Sequence, residues 1–311
     1  MMKIGITGAT GFLGAKLAEV LVARGDEVVA FTRDPARAQA RVPNGTRLVA
    51  AALETAGAWQ EAVAGLDAIV HLAGESIAGK RWDARQKQLL RDSRVESTRH
   101  LVEAIGKAEP RPRVLVSASG ADYYPFAMGG VGDFDDDEVT ETDPPGDDFL
   151  ARLCKAWEGE AVVAEALGVR VVRMRTGLVL GEHGGAMAKM TTPFKLFAGG
   201  RIGSGKQWMT WIHLDDAVAG YLAAIDDPRY RGPVNLVTDS LRNVDFAKQL
   251  GAVLHRPSWL PVPAFVLRAA VGELADSLLN GRRVVPAVLR ELGFTWKHPA
   301  LPEALGSLHL R

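Results

Sequence analysis

Short apolar runs alternate along the first two thirds of the chain with longer stretches in which apolar residues recur every three or four positions. The short runs are rich in valine, isoleucine and leucine, which is typical of strands buried on both faces of a parallel sheet. The longer stretches predict amphipathic helices that connect such strands. Strands are predicted at Lys3–Thr7, Glu27–Phe31, Arg47–Ala50, Ala68–Leu72, Arg113–Ala118 and Arg170–Met174. The pattern indicates an α/β protein with a doubly wound parallel sheet.

Helical periodicity fills the spaces between these strands, at Phe12–Arg24, Ala56–Ala64, Asp83–Lys107 and Phe149–Leu167. After Gly181 the pattern changes to a glycine-rich stretch, one further strand and three helical segments. These later elements are predicted at Val234–Val237, Asn243–Leu254, Ala264–Leu279 and Val284–Leu292.

Two domains are predicted from this change of pattern. Residues 1–180 with 208–240 form the sheet domain, and residues 181–207 with 241–311 form a smaller, mainly helical C-terminal domain on the substrate side. The apolar stretch Pro261–Leu279 is predicted to be the core helix of the smaller domain.

The charge balance narrows the class of partner. Lys+Arg and Asp+Glu both number 37, so nothing in the composition favours nucleic acid or an anionic membrane surface. No apolar run approaches the roughly 20 residues that span a bilayer, and the chain enters its first strand without a signal-peptide pattern. The single cysteine, Cys154, suits a reducing compartment. We therefore expect a cytoplasmic protein whose partner is a small molecule, and the sequence leaves the oligomeric state open.

One segment is strongly biased in composition. Gly129–Asp148 holds nine acidic residues and no basic residue. Because clustered like charges repel and resist packing, we predict a solvated surface loop. The alternative is a mobile lid near the functional site.

A glycine-rich turn, Gly8-Ala-Thr-Gly11-Phe-Leu-Gly14, follows the first strand directly and opens the first helix. Gly8 permits the tight turn, Gly11 lets the backbone approach a pyrophosphate, and Gly14 allows close packing of helix on strand. The helix N-terminus offers unpaired N–H groups and the positive end of its dipole to phosphates. Because a strand precedes the turn and a helix follows it, we predict a dinucleotide site rather than a turn alone.

The end of the second strand bears on the choice of dinucleotide. Sites specific for NAD usually place an acidic residue there for the ribose 2′-hydroxyl, whereas this chain has Arg33. A guanidinium suits a 2′-phosphate because it forms two parallel charge-assisted hydrogen bonds. The sequence therefore favours NADP(H). The alternative is that Arg33 is a surface residue and Asp34 contacts the ribose.

Four later motifs accompany the glycine turn: His71-Leu-Ala-Gly74, Ser117-Ala-Ser119, Arg175-Thr-Gly-Leu-Val-Leu-Gly181 and Trp211-Ile-His-Leu-Asp-Asp216. Together they resemble the extended short-chain dehydrogenases/reductases, which include nucleotide-sugar epimerases and dehydratases and have a Rossmann fold. Further segments resemble the atypical subgroup called epimerase family proteins: Gly74-Glu-Ser-Ile-Ala with Arg81-Trp82, Cys154-Lys-Ala-Trp-Glu158, and residues 200–213. That subgroup has its own C-terminal segment, which is similar to about 232–305 here.

The resemblance implies a set of cofactor-binding residues. Thr10, Phe12 and Leu13 would supply backbone around the pyrophosphate, and Leu53 would give an apolar contact to adenine. The residues expected beside the nicotinamide and its ribose are Leu72, Ala73, Gly74, Ser117, Lys155, Gly177 and Leu178. Glu75 is a polar residue beside this group, which either binds a ligand or pairs with Arg81.

The resemblance also implies catalytic residues, with one departure. Ser119 matches the catalytic Ser/Thr of the superfamily, and Lys155 is the candidate for its lysine. A tyrosine four residues before that lysine transfers the proton, but here that position is Ala151, and the neighbouring positions are Leu150 and Arg152. The usual tyrosine is therefore missing.

Three residues are candidates for the missing proton donor: Tyr123, Tyr124 and His213. Each has a structural alternative, the tyrosines as buried wall residues and His213 as a hydrogen-bonded link between domains. The leading hypothesis is an NADP(H)-dependent oxidoreductase or epimerase-like enzyme that acts on an unidentified small molecule, such as a nucleotide sugar. The alternative is a non-catalytic NADP(H)-binding redox sensor or regulatory protein. No metal is expected.

Overall fold

The computed structural model describes residues 1–125, 136–182 and 184–310. In chain order its strands are β1 (Lys3–Thr7), β2 (Glu27–Thr32), β3 (Arg47–Ala50), β4 (Ala68–His71), β5 (Val114–Gly120), β6 (Glu138–Val139), β7 (Arg170–Thr176), β8 (Leu178–Leu180), β9 (Trp208–His213), β10 (Gly232–Leu236), β11 (Asp239–Arg242) and β12 (Arg283–Val284). Its α-helices are α1 (Phe12–Ala23), α2 (Pro35–Ala38), α3 (Ala84–Lys107), α4 (Phe149–Val162), α5 (Met187–Lys195), α6 (Leu214–Asp226), α7 (Asn243–Leu254), α8 (Ala264–Val271), α9 (Leu274–Leu279), α10 (Ala287–Glu291) and α11 (Leu301–Gly306).

Seven strands form one parallel sheet in the order β10-β7-β5-β4-β1-β2-β3. The chain adds β2 and β3 on one side of β1 and then crosses to the other side with β4. The strand order therefore reverses between β1 and β4, and in such sheets the crevice at the carboxyl ends beside this reversal binds ligands. The predicted doubly wound Rossmann fold is confirmed.

A layer of helices covers each face of the sheet. Leu17 of α1 and Tyr221 of α6 are fully buried in the core on one face. Leu101 of α3 and Ala161 of α4 are fully buried in the core on the other. Because both faces are covered, the strands need apolar side chains at successive positions, which explains the short unbroken apolar runs.

Most predicted elements of the sheet domain occur close to their expected bounds. The predicted helix Ala56–Ala64 is instead a 3₁₀ helix at Ala58–Val63, and α4 continues as a 3₁₀ helix at Val163–Leu167. The prediction missed α6 and the short strands β8, β9 and β11.

The missed strands form a second sheet in the order β11-β9-β8. The domain boundaries predicted from the sequence assign β8 and β9 to the sheet domain, yet neither strand joins the seven-stranded sheet. The division into two domains stays a proposal, in which this small sheet lies at the boundary between them. Beside it α5, α7 and α11 enclose a separate core that includes Phe194, Phe246 and Leu305.

The prediction that Pro261–Leu279 is a core helix is wrong. Gly272, with a φ of 66°, separates α8 from α9, and α8 has no buried residue. Phe265 in α8 is 74% exposed. The apolar pattern indicated a contact surface, but α5, α7 and α11 had already filled the core. Among the described residues, no helix is both long and apolar enough to cross a bilayer.

The acidic segment differs from the predicted solvated loop where it is described, from residue 136 onward; its earlier residues lie outside the described residues. Glu138 belongs to β6, which pairs with β12. Glu141 is buried, and its Oε1 accepts hydrogen bonds from the N–H groups of Asn235 (2.9 Å) and Val288 (3.2 Å). Asp148 accepts hydrogen bonds at the N-terminus of α4. These backbone donors compensate the acidic groups for the loss of water.

A chain of buried polar groups links β1, β4 and α3. Thr7 Oγ1 lies 2.7 Å from Nδ1 of His71, and Nε2 of His71 lies 3.0 Å from Thr98 Oγ1. Thr98 Oγ1 donates to the carbonyl of Arg94 at 2.6 Å, so it accepts from Nε2. His71 is then the neutral tautomer with its proton on Nε2, and Thr7 donates to Nδ1. Complete burial and the nearby Arg94 lower the pKa of His71 to about 3.

This bridge predicts a loss of stability in acid. Because the pKa of His71 is about 3 in the folded state and near 6.5 when unfolded, protonation favours the unfolded chain as pH falls from 6.5 toward 3. His71 should contribute up to about 1.4 kcal/mol per pH unit to the slope of unfolding free energy in that window. Urea denaturation at a series of pH values from 4 to 7 gives the unfolding free energy at each pH. The increase of this free energy with pH should be smaller for His71→Gln than for the wild type.

Exposed His309 provides the matched control. His309→Gln should keep the wild-type slope. A His71→Gln slope equal to that of the wild type would contradict the neutral buried histidine.

Candidate functional site

A cleft of about 280 Å³ lies at the carboxyl ends of β1, β2 and β4, beside the reversal of strand order. Nine residues predicted for the cofactor site line it: Gly8, Thr10, Gly11, Arg33, Leu53, Leu72, Ala73, Gly74 and Glu75. It also has lining residues that the sequence interpretation missed: Phe31, Thr32, Ala51, Glu54, Leu89, Asp92, Ser93 and Ser97.

The glycine turn forms one end of this cleft through close backbone approaches. Gly8 has a φ of 72°, and a Cβ at this position would lie 2.8 Å from the carbonyl carbon of Leu72. A Cβ on Gly14 would lie 2.2 Å from the Gly8 carbonyl oxygen. Gly11 is the residue before α1, and no side chain there accepts a hydrogen bond from the first N–H groups of the helix. The first turn of α1 therefore offers backbone donors and a positive dipole end to an anion.

The loop after β4 is held against this turn by one hydroxyl. Thr7 Oγ1 accepts hydrogen bonds from the N–H groups of Leu72 and Ala73, both at 3.1 Å. Because Thr7 also donates to His71, its hydroxyl is fully used. The motif that begins at His71 is thus placed along the cleft by the residue immediately before Gly8.

The far end of the cleft carries an available cation. Arg33 is exposed, lines the cleft and makes no hydrogen bond or ion pair with any residue in the described ranges. Asp34 is already used, since its Oδ1 accepts from the N–H of Arg37 at 3.0 Å and caps α2. This geometry favours Arg33 over Asp34 as the ribose-side contact.

Glu54 adds a carboxylate beside the predicted apolar contact of Leu53 at the same end. On the other wall, Leu89, Asp92, Ser93 and Ser97 belong to α3. Their spacings of three and four residues place them on one helical face, which is the signal that would have found them.

Several predicted site residues do not line the cleft. Phe12 packs beside the glycines at 181, 184 and 185, although its backbone lies in the first turn of α1 together with Leu13 and Gly14. Gly177 packs against the backbone of β9, and Leu178 packs on the core of the smaller region. Ser117 is buried in β5. Glu75 forms no ion pair with Arg81 within the part of the chain that the structure describes.

Ser119 belongs to a buried polar network rather than to an open pocket. Its hydroxyl donates to Glu158 Oε1 at 2.7 Å, and Arg175 binds both oxygens of Glu158 at 2.8 and 2.9 Å. Arg175 also donates to the hydroxyl of Tyr124, which donates to Asn235. The network joins β5, α4, β7 and β10.

The structure does not bring Lys155 to Ser119. Lys155 is exposed on the outer face of α4, whereas Leu150, Cys154 and Glu158 are buried on the inner face at four-residue spacing. A Cβ on Gly120 would lie 3.5 Å from Cys154 Sγ, so Cys154 faces the end of β5. Burial, with the nearby charges of Asp122 and Glu158, raises the pKa of Cys154 to about 12.

The three candidate proton donors have different environments. Tyr124 is buried, and desolvation raises the pKa of its hydroxyl. Tyr123 is half-buried, with its ring 3.4 Å from the guanidinium carbon of Arg175. His213 accepts from the N–H of Asp215 at the start of α6, and burial together with His298 lowers its pKa to about 4. Tyr124 and His213 are thus committed to structural contacts.

A doubly wound sheet with a glycine turn and a cleft across its switch point defines a dinucleotide-binding protein of the Rossmann class. The chain belongs to the NAD dependent epimerase/dehydratase family, which matches residues 4–236. Residues 262–308 match a domain of unknown function, DUF1731. Both matches confirm the resemblance found in the sequence motifs.

Individual relatives match along the whole chain. It is 40% identical over 310 residues to the Arabidopsis thaliana epimerase family protein SDR39U1 homolog, chloroplastic, covering 99% of this chain and 86% of the relative. It is 36% identical over 304 residues to the epimerase family protein ML0860 of Mycobacterium leprae, covering 97% and 94%. The crystal structure of human epimerase family protein SDR39U1 (isoform 2) with NADPH aligns with a TM-score of 0.84, 34% identity and 99% coverage of both chains.

The glycine turn makes a direct prediction. A Cβ on Gly11 would meet only the Gly8 carbonyl oxygen, at 3.1 Å, so Gly11→Val should fold while its branched side chain blocks the approach of a pyrophosphate. Calorimetric titration with NADPH should show no binding, and the circular-dichroism spectrum should stay near that of the wild type.

Gly25→Ala is a matched control, because a Cβ there meets nothing within 4 Å, and its positive φ of 91° tests whether backbone strain alone affects binding. It should bind NADPH as the wild type does. If Gly11→Val binds NADPH as tightly as the wild type does, the glycine motif is a structural turn and not a dinucleotide site.

Proposed function

We propose that this protein is an NADP(H)-dependent oxidoreductase or epimerase-like enzyme that acts on a small molecule. The observation that carries the cofactor choice is the unpartnered guanidinium of Arg33 at the end of the cleft, with Asp34 withdrawn into the cap of α2. A 2′-phosphate would give Arg33 its charge-assisted partner. The human relative crystallised with NADPH supports the same choice.

The residues of the cleft fit a bound dinucleotide along its length. The glycine turn and the N-terminus of α1 would hold the pyrophosphate, and Leu53 would pack on the adenine. Leu72, Ala73 and Gly74 would border the nicotinamide-side ribose. When bound, the dinucleotide supplies a hydride acceptor or donor, and the chain's own residues bind it, exclude water and exchange the accompanying proton.

Catalytic roles for Ser119 and Tyr123 remain part of this proposal because both lie at or just beyond the carboxyl end of β5. Lys155 stays a predicted ribose contact, although its side chain is exposed on the outer face of α4 and does not line the cleft. A nucleotide sugar is one candidate substrate, as for other members of the superfamily that the motifs resemble.

A non-catalytic redox sensor is the second candidate. The observation that favours it is the inner face of α4, where Leu150 and Cys154 stand at the spacing of the superfamily's tyrosine and lysine. The Ser119 hydroxyl is also engaged by Glu158. Neither Leu150 nor a thiol of raised pKa can replace the tyrosine–lysine pair.

Cofactor preference should depend on Arg33. Wild-type protein should bind NADPH more tightly than NADH, and Arg33→Asp should remove or reverse this preference by deleting a charge-assisted contact and adding repulsion. Such contacts are typically about 1.5–3 kcal/mol, roughly ten- to a hundredfold in affinity. Calorimetry with both dinucleotides measures the ratio.

Arg47→Asp is the control, because Arg47 is exposed at the opposite end of β3 from the cleft. It should retain the NADPH preference. Tighter binding of NADH by the wild type would overturn the choice of cofactor.

Turnover should separate the enzyme from the sensor. Incubation with NADPH and a panel of carbonyl compounds and nucleotide sugars should show loss of the near-ultraviolet absorbance of the reduced cofactor, or epimerised product. The sensor hypothesis instead expects no turnover with any panel member, and a protein partner retained differently with NADP⁺ and NADPH in a pull-down. Turnover that Ser119→Ala lowers would support the enzyme.

A further inference from the structure

A carboxylate that the sequence interpretation did not consider stands at the carboxyl end of β5. Asp122 lies in the 3₁₀ turn Ala121–Tyr123, directly after the strand. A Cβ on Gly120 would lie 3.3 Å from Asp122 Oδ2 and 3.5 Å from Cys154 Sγ. The carboxylate therefore lies near Cys154 on the inner side of α4. Solvent reaches Asp122, which is exposed.

A buried cation, Arg94, lies directly behind the wall of the cleft. Arg94 of α3 is 9% exposed, donates one hydrogen bond to the carbonyl of Leu90, and lies over the ring of Trp157. It forms no ion pair with any residue that the structure describes. A Cβ on Gly74 would lie 3.0 Å from the guanidinium carbon of Arg94. Gly74 lines the cleft and Arg94 does not, so the guanidinium lies directly behind the cleft wall at Gly74.

Among the described residues, charged groups of α3 and α4 act on Asp122. Neighbouring protein atoms and the negative Asp148 at the start of α4 raise the pKa of Asp122, and Arg94 on α3 opposes them. Cys154 on α4 is neutral near pH 7, since its pKa is raised to about 12. A raised pKa brings a carboxyl group closer to working pH, where it can both donate and accept a proton.

We propose that Asp122 is the catalytic acid–base residue in place of the missing tyrosine, with Arg94 as the residue that positions and tunes it. The inference rests on the proposed function, because it needs a nicotinamide at this end of the cleft. Of the polar groups nearby, the Ser119 hydroxyl donates to Glu158 and the Tyr124 hydroxyl donates to Asn235, which leaves Asp122 and Tyr123 as the groups available to exchange a proton here.

The proton balance of a reduction is complete with Asp122 alone. When bound, NADPH would supply a hydride, with its two electrons, for the carbonyl carbon of a substrate. The carbonyl π pair moves to oxygen, which takes the proton from the Asp122 carboxyl group as its O–H bond breaks. Asp122 is left as a carboxylate, and solvent returns its proton through the exposed side. In the oxidation of an alcohol, the carboxylate accepts the proton.

The test uses cofactor binding, so it needs no known substrate. The nicotinamide ring is positive in NADP⁺ and neutral in NADPH, so ionised Asp122 should favour NADP⁺. The ratio of NADP⁺ to NADPH affinity should rise about three- to tenfold in the wild type between pH 5 and 7.5. Titration of the shared 2′-phosphate cancels in this ratio. Asp122→Asn should give a ratio that does not change with pH.

Two further variants distinguish a chemical role from a structural one. Arg94→Met should move the midpoint of the wild-type ratio to higher pH, because Arg94 lowers the pKa of Asp122, while Arg94→Lys should keep it lower than Arg94→Met does. Asp245→Asn, at an exposed carboxylate of α7, is the matched control and should behave as the wild type. On any panel member that the wild type reduces, Asp122→Asn should lower kcat by about 10²–10⁴-fold with little change in NADPH affinity.

The possible failures are separable. A pH-dependent ratio that survives in Asp122→Asn, or one absent from the wild type, overturns the role of Asp122 and leaves the cofactor proposal intact. Failure of the wild type to bind either dinucleotide overturns both proposals. Circular dichroism of Asp122→Asn and Asp122→Glu verifies folding, and Asp122→Glu should restore a pH-dependent ratio.

Discussion

The hydroxyl of Thr7 is the contact on which the functional cleft depends. It donates to His71 and accepts from the N–H groups of Leu72 and Ala73, so it ties the end of β1 to the end of β4 where the strand order reverses. The close approach of Gly8 to Leu72 follows from this connection. Because Thr98 completes the chain of hydrogen bonds, α3 is linked to the same point and its polar face borders the cleft.

The arginines of this protein differ in whether a carboxylate neutralises them. Beneath β5 and β7, Arg175 is fully compensated by Glu158, and removing either partner would leave a buried charge. Arg33 and Arg94 lack such partners among the described residues. One lies at the exposed end of the cleft and the other behind Gly74. This contrast distinguishes cations that hold the fold together from cations available to a ligand.

Helical geometry separates this chain from the tyrosine–lysine arrangement that its motifs resemble. Lys155 follows Cys154 by one residue, which rotates its side chain by about 100° around α4. That rotation moves it from the inner face, packed against β5, to solvent. The motif around Trp157 and Glu158 identified the family correctly, whereas the role of Lys155 stays a prediction for an exposed side chain. The burial of Glu158 against Arg175 determines which face of α4 turns inward.

The sequence by itself determined the doubly wound sheet, the glycine turn and the position of Arg33. These depend on local order along the chain: apolar runs of strand length, glycines at three-residue spacing, and a residue type at the end of β2. Tertiary structure decided the rest. It buried Glu141 in a segment expected to be solvated, left α8 and the side chain of Lys155 exposed, and placed Asp122 near Cys154 at the end of β5. Such outcomes depend on which side chains meet across elements far apart in the chain, and their desolvation and pairing energies are absent from any local pattern.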